Sequence, residues 1–293
     1  MEQSKKLVCN IPKKSIQNTK DTEATIADET YSDKQVSTCA DEMIKLSISV
    51  MNEEDKSKTL RISSIEKPVV SLKKKLLVLD VNGLLADIVF PPPKSHKADA
   101  IIVGRAIFKR PFYLEFLNFC FEKFEVGVWS SRTKKNIDAV IDYLMGKMKH
   151  RLLFCWDLSH CTATSFKTLE NKHKPLVFKD LRKIWEKQDP NLPWEKGYYN
   201  ESNTLLLDDS PYKALLNPPH NSIFPHTFRF QNQSDNSLAA GGDLRLYLYG
   251  LANVENMLKY VEQHQFGQER VTKRSQSWKF YVKVIDSLSA RHC

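Results

Sequence analysis

Three short apolar runs limit what this chain can fold into more than any other feature: KLLVLD at 75–80, FEVGVWS at 124–130 and NTLLLDDS at 203–210. Each is almost continuously apolar, without the polar–apolar alternation of a half-buried strand. Each therefore reads as a strand buried on both faces of a parallel sheet. Helical patterns lie between them. RPFYLEFLNFCFEKF places Phe112, Phe116, Phe119 and Cys120 on one face, with Pro111 suited to a first turn. TKKNIDAVIDYLMGKM repeats the pattern through Ile137, Val140, Ile141 and Leu144. Strands that alternate with helices imply an α/β fold with a mainly parallel sheet.

The rest of the chain divides by composition. Residues 1–70 are rich in Ser, Thr, Lys, Glu and Asp and read as a disordered leader, with a short helix around ADEMIKLSISV. The domain proper is expected over 71–266. Within it, residues 86–110 form an insertion whose alternating DAIIVGRAIF predicts a small β flap. DLRLYLYGLANVENMLKYVEQHQ predicts one helix. The segment 267–293 is a helical tail whose stripe of Trp278, Tyr281, Val282, Ile285 and Leu288 is read as packing on the domain, in preference to docking a partner.

Charge narrows the partners. The whole chain carries a formal +9, yet residues 1–70 hold 11 Lys/Arg against 12 Asp/Glu and the remainder 33 against 23. The domain is the basic part, which favours phosphorylated or acidic proteins. Aromatic residues are not gathered among the basic ones, so nucleic acid is disfavoured. No apolar stretch approaches the roughly 20 residues of a membrane span. The N-terminus has neither a signal-peptide core nor the acid-poor look of a transit peptide. A soluble intracellular protein of nucleus or cytoplasm is expected, ahead of a mitochondrial one. The six cysteines include no C-x-x-C and read as free thiols. Cys155, His160 and Cys161 fall short of a zinc set. Lys73, Lys74 and Lys75 read as the solvated start of a strand in preference to an import signal, and His173 as a loop histidine.

The apolar runs end in a consistent way: Asp80 after the first, Ser130 and Ser131 after the second, Asp208 and Asp209 after the third. Open α/β sheets bind ligands at the carboxyl ends of their strands. Three carboxylates gathered there would raise one another's pKa, a conflict that a hard, oxygen-preferring ion such as Mg²⁺ removes. Ser130 could then hydrogen-bond a phosphoryl oxygen, and Lys179 of PLVFKDL could add a point charge. Taken singly, each residue has an ordinary reading as a cap or turn former. Asn82-Gly83 by itself signals a hairpin turn.

In order, LLVLDVNGLL, RPFYLEFL, VGVWSSRT, VFKDL and LLLDDSPYKA resemble the motifs of the haloacid dehalogenase superfamily. More narrowly they resemble the NLI-interacting-factor-like phosphatases that act on the C-terminal domain of RNA polymerase II. The resemblance covers about residues 72–265. It implies a Rossmann-like core, a small β-hairpin flap instead of a large cap, and Mg²⁺-dependent phosphoryl transfer through an aspartyl-phosphate on a phosphoserine or phosphothreonine protein. It makes Asp80 the nucleophile, Ser130 and Lys179 the phosphate-binding pair, and Asp80, Asp208 and the backbone carbonyl of Asn82 the Mg²⁺ ligands, with Asp209 in support.

The chain departs from that pattern at one place. The family carries Asp-x-Asp, whereas this chain has Asp80-Val81-Asn82, so an amide stands where the general acid/base is expected. An amide has no titratable proton near neutral pH. Slow turnover follows, and with it a competing reading as a phosphoprotein-binding pseudophosphatase. A third reading, a presequence-receptor module of the mitochondrial inner-membrane translocase, lacks its expected span and leader.

Overall fold

A computed structural model of the chain describes residues 74–290. The leader at 1–70 and the short helix expected near residue 45 lie outside the described residues. Five parallel strands make the main sheet: β1 (Leu76–Leu79), β5 (Glu125–Trp129), β6 (Cys155–Trp156), β9 (Thr204–Leu207) and β10 (Ser222–Ile223), in the order β10-β9-β1-β5-β6. β1 is central. The chain adds β5 and β6 on one side of it, then returns to add β9 and β10 on the other, so the strand order reverses at β1.

Both faces of this sheet are covered, which explains why its strands are apolar at every position. Leu77, Leu79, Val126, Val128, Leu205 and Leu207 pack into one layer. That layer is roofed by α1 (Tyr113–Lys123), α2 (Lys134–Met145), α4 (Asp243–Asn253) and α5 (Met257–Gln263). Leu76, Val78, Trp129 and Leu206 face the other way, onto Trp156, Ile184 and Trp185. The last two come from the short α3 (Arg182–Trp185).

The insertion is an antiparallel sheet of three strands, β2 (Ala86–Val89), β3 (Ala100–Ile102) and β4 (Arg105–Lys109), ordered β2-β4-β3. It is thus one strand larger than a hairpin. Its β3–β4 turn uses Val103 and Gly104, both at positive φ. A second antiparallel pair, β7 (Thr162–Lys167) and β8 (Pro175–Phe178), lies beside the main sheet.

Four local expectations need correction. Phe112 precedes α1 in a left-handed conformation and is exposed, so the helix buries Phe116, Phe119 and Cys120 without it. The long helix predicted over 243–265 is two, broken at Val254, where the backbone is extended. Asn256 starts the second by accepting a hydrogen bond from the Lys259 amide at 2.9 Å. Lys75 is not solvated: it is buried, and its Nζ donates to the carbonyls of Ala252 and Val254 at 3.2 and 2.7 Å, satisfying the end of α4. The tail forms α6 (Trp278–Ser289), which packs on Leu176, Phe178 and Tyr212 through Tyr281 and Val284, with the expected Ile285 and Leu288 partly buried against them and the expected Trp278 and Val282 outside the cluster. Among the described residues no helix is long and apolar enough to cross a membrane.

Candidate active site

Sheet register brings the strand-end residues together. Leu79 of β1 is level with Leu207 of β9 and with Val128 of β5. The next residues, Asp80 and Asp208, therefore emerge side by side, and Ser130 follows one step beyond on β5. All three are buried. Lys179, directly after β8, reaches the same point. Its Nζ lies 3.2 Å from Asp80 Oδ1 and donates to Asp208 Oδ2. A cavity of about 820 Å³ opens beside them, lined by Asp80, Asn82, Ser130, Arg132, Asp209 and Lys213 among others, with Asp208 and Lys179 fully buried behind Asp80 and outside the lining. The residues singled out from the sequence thus converge on one place.

Electrostatics inside this cluster are set by opposing terms. Burial works against ionisation of Asp80, but the ammonium groups of Lys179 and Lys213 outweigh it and hold this carboxyl well below the usual range. Burial raises Asp209, and the charges of Asp208 and Asp80 add to the rise. Lys213 is driven by burial toward neutrality, yet Asp208, Asp80 and Asp209 hold it well above the ordinary lysine value. Asp80, Asp208 and Asp209 offer oxygens within 4.8 Å of one another. An all-oxygen donor set of this kind suits a hard divalent cation, so the residues fit Mg²⁺.

The Asn82-Gly83 loop has its own construction. The Val81 carbonyl accepts hydrogen bonds from Leu85 and Ala86 at 2.9 and 3.2 Å, and the Gly83 amide donates to the Ala86 carbonyl at 2.7 Å. The pair is a bend leading from β1 into the flap. Gly83 has φ +83°, and a side chain there would run into the Asp209 carboxylate. Asn82 Oδ1 accepts from the Ile88 amide at 2.9 Å and from Arg132 Nη2 at 3.2 Å. Both partners are donors, so the oxygen of the amide must face them. What Asn82 has left to offer is its NH₂, a donor only.

Sequence reasoning missed two residues here. Lys213 sits on the 3-10 turn Pro211–Ala214 and bonds both Asp80 and Asp208. Pro211 signals the turn, but nothing local separates Lys213 from a surface lysine. Arg132, from the motif SSRT, grips Asn82 and also donates to the Ile88 carbonyl at 3.1 Å. Asn217 supports Lys179 from behind: its Nδ2 donates to the Lys179 carbonyl at 2.9 Å, and its Oδ1 accepts from the Leu181 amide at 2.9 Å. The side constellations settle into structural roles. His160 stacks on Trp156 and closes a capping box with Asp157. Cys161 is buried, and its thiol is pushed up by burial. His173 is an exposed residue at the cavity rim.

Known proteins resemble this chain in sequence. The profile of "NLI interacting factor-like phosphatase" matches residues 75–285, which include every site residue described above. An uncharacterized FCP1 homology domain-containing protein of Schizosaccharomyces pombe is 28% identical over 201 residues, covering 66% of this chain and 78% of that protein. Ubiquitin-like domain-containing CTD phosphatase 1 of Danio rerio is 31% identical over 147 residues, covering 50% of this chain. The match spans only 40% of the Danio protein's own length. A solved structure of Fcp1, an essential RNA polymerase II CTD phosphatase, overlays loosely, with 13% identity, a TM-score of 0.36 and coverage of 74% of this chain and 62% of that one. With its motifs in order and the profile matched from β1 into the last helix, the chain belongs to the NLI interacting factor-like phosphatase family.

Proposed function

We propose that the chain is a Mg²⁺-dependent phosphoserine/phosphothreonine protein phosphatase that works through an aspartyl-phosphate and turns over slowly because residue 82 is Asn. The observation that carries this reading is the buried ion-pair cluster of Lys179 with Asp80 and Asp208, joined through Asp80 to the cavity that Asp80 and Ser130 line. In the first half-reaction a carboxylate oxygen of Asp80 attacks phosphorus and the ester oxygen leaves with its electron pair. Asp80, kept ionised by Lys179 and Lys213, is ready as the nucleophile. Ser130 and Lys179 bind phosphoryl oxygens. Asp80, Asp208 and the Asn82 carbonyl would hold Mg²⁺, with Asp209 supporting. That ion would supply charge neutralisation among the carboxylates and polarisation of the phosphoryl group.

The proton accounting is where Asn82 matters. Its NH₂ can hydrogen-bond the departing oxygen but gives up no proton, so the alkoxide takes its proton from solvent water. In the second half-reaction water must attack the phosphorus of the aspartyl-phosphate, releasing inorganic phosphate and restoring Asp80. No side chain at position 82 can take the water's proton. General acid–base catalysis is worth about 10²–10⁴-fold, or about 2.7–5.4 kcal/mol of barrier. Slow hydrolysis is therefore expected, with the phosphoenzyme accumulating for substrates whose good leaving groups spare the first step. Arg105, Arg132, Lys174 and Arg229 line the cavity and suit an acidic phosphopeptide. The flap contributes through Ile88, Phe90 and Arg105, whereas Lys94, Lys97 and Lys109 do not line the cavity. A nuclear or cytoplasmic setting fits such a substrate.

The test is phosphate release from a phosphopeptide, measured with and without Mg²⁺ on the wild type, Asp80→Asn and Asn82→Asp. Release should require both Mg²⁺ and Asp80, and should rise at least tenfold in Asn82→Asp. Mass spectrometry of fresh wild-type protein should verify Asn82, because Asn-Gly deamidates to the same aspartate. The second reading, a phosphoprotein-binding pseudophosphatase, is favoured by the donor-only face of Asn82. It wins if phosphopeptide binds but no Mg²⁺- and Asp80-dependent release is detected.

A further inference from the structure

Lys213, which helps keep Asp80 ionised, also stands where a metal ion would bind. Lys179 engages one oxygen on each of two acids, Asp80 Oδ1 and Asp208 Oδ2. Lys213 takes the oxygens left over: its Nζ lies 3.0 Å from Asp80 Oδ2 and 2.8 Å from Asp208 Oδ1, with Asp208 Oδ2 at 3.1 Å. Every carboxylate oxygen of the two acids is thereby in contact with an ammonium group. The Lys213 backbone is fixed, since its amide donates to the Ser210 carbonyl at 3.0 Å and its carbonyl accepts from the Lys179 amide at 2.8 Å. Its four-carbon stem keeps the freedom to move the charge.

We infer that Lys213 is a built-in cation that competes with the divalent ion for Asp80 and Asp208. The inference rests on the reading of these acids as Mg²⁺ ligands. With both lysines in place, Asp80, Asp208 and Asp209 retain one net negative charge. Without Lys213 they would carry two, matching a divalent ion unaided. Coordination by Asp80 Oδ2 and Asp208 Oδ1 requires Lys213 to leave, and a displaced ammonium needs a new counter-charge. The cavity that Lys213 lines is where the dianionic phosphoryl group of a substrate would supply one. Phosphate binding therefore assists metal binding in the wild type, and by linkage the converse holds. A site of this kind holds the metal more weakly until a phosphorylated ligand arrives.

The experiment is a calorimetric Mg²⁺ titration of wild type, Lys213→Met, Lys213→Gln and Lys213→Arg, each with and without inorganic phosphate. Without phosphate, Lys213→Met should bind Mg²⁺ at least tenfold more tightly than wild type, while Lys213→Arg stays near wild type. Adding phosphate should tighten Mg²⁺ binding more in wild type than in Lys213→Met. Should Lys213→Met fail to fold, Lys213→Gln is read by the same titration and by the Mg²⁺-induced rise in Tm. Equal or weaker Mg²⁺ affinity in the neutral variants overturns the inference. Because metal binding is read without turnover, tighter Mg²⁺ binding in a chain that releases no phosphate would sink the phosphatase reading and leave the role of Lys213 standing.

Discussion

At the scale of single residues, the site is built from positions where one atom decides the outcome. Exchanging a carboxylate oxygen for NH₂ at residue 82 keeps the shape of the loop, because Ile88 and Arg132 need only the oxygen that remains. In the proposed mechanism the proton transfer at residue 82 is lost while the geometry is kept. Gly83 shows the reverse case. Gly83→Ala forces a methyl group into a left-handed backbone, at about 1–2 kcal/mol, and into the Asp209 carboxylate. A fall in Tm of several degrees is expected, together with weaker Mg²⁺ binding as Asp209 shifts. Thermal melts and metal titration check this, and an unchanged Mg²⁺ affinity would show that Asp209 does not support the metal site. Asp80, Ser130, Lys179, Asp208 and Asp209 were readable as candidates because each ends an apolar run, whereas Asn82 became one only through the resemblance of its motif to the family's Asp-x-Asp. Lys213 and Arg132 were not. A lysine in a turn and an arginine after two serines look the same whether they face solvent or a buried carboxylate.

At the scale of elements, the break between α4 and α5 is the informative one. Apolar periodicity runs through residues 243–265 with no proline or glycine at the break, so the sequence pattern reads as continuous. Two polar side chains interrupt it instead: Lys75, bonding the last carbonyls of α4, and Asn256, capping α5. Asn256→Ala should cost about 1 kcal/mol and lower Tm by a few degrees without fusing the helices, because Lys75 still holds the Val254 carbonyl. Thermal denaturation followed by circular dichroism checks both points, since fusion would raise the helix content. β5 depends on a similar close fit. Gly127 lies against the Phe154 ring, leaving no room for a side chain within an otherwise apolar strand.

At the scale of the whole molecule, the last helix belongs to the support of the site. Tyr281 of α6 stacks on Tyr212, the neighbour of Lys213, with ring centroids 5.9 Å apart. Val284 is fully buried in the same cluster as Phe178, the neighbour of Lys179. Both site lysines thus extend from residues that α6 covers. Deleting residues 269–293 removes two well-buried side chains, worth about 3–6 kcal/mol, and exposes Leu176, Phe178 and Tyr212. The truncated protein should melt well below the full chain and bind phosphate more weakly. An unchanged Tm would show that α6 is dispensable.

The sequence by itself determined three strands of the sheet, β1, β5 and β9, their parallel sense and the chemistry of their ends, while the short β6 and β10 gave no such signal. Those properties depend on which residues follow one another and on the burial that continuous apolar runs demand. The tertiary structure decided everything that joins distant parts of the chain. Lys213 and Asp80 meet across 133 residues of sequence, Lys75 and Val254 across 179. Charges buried by such encounters leave no periodicity for a sequence to display, because a pairing between two distant side chains is written in neither neighbourhood.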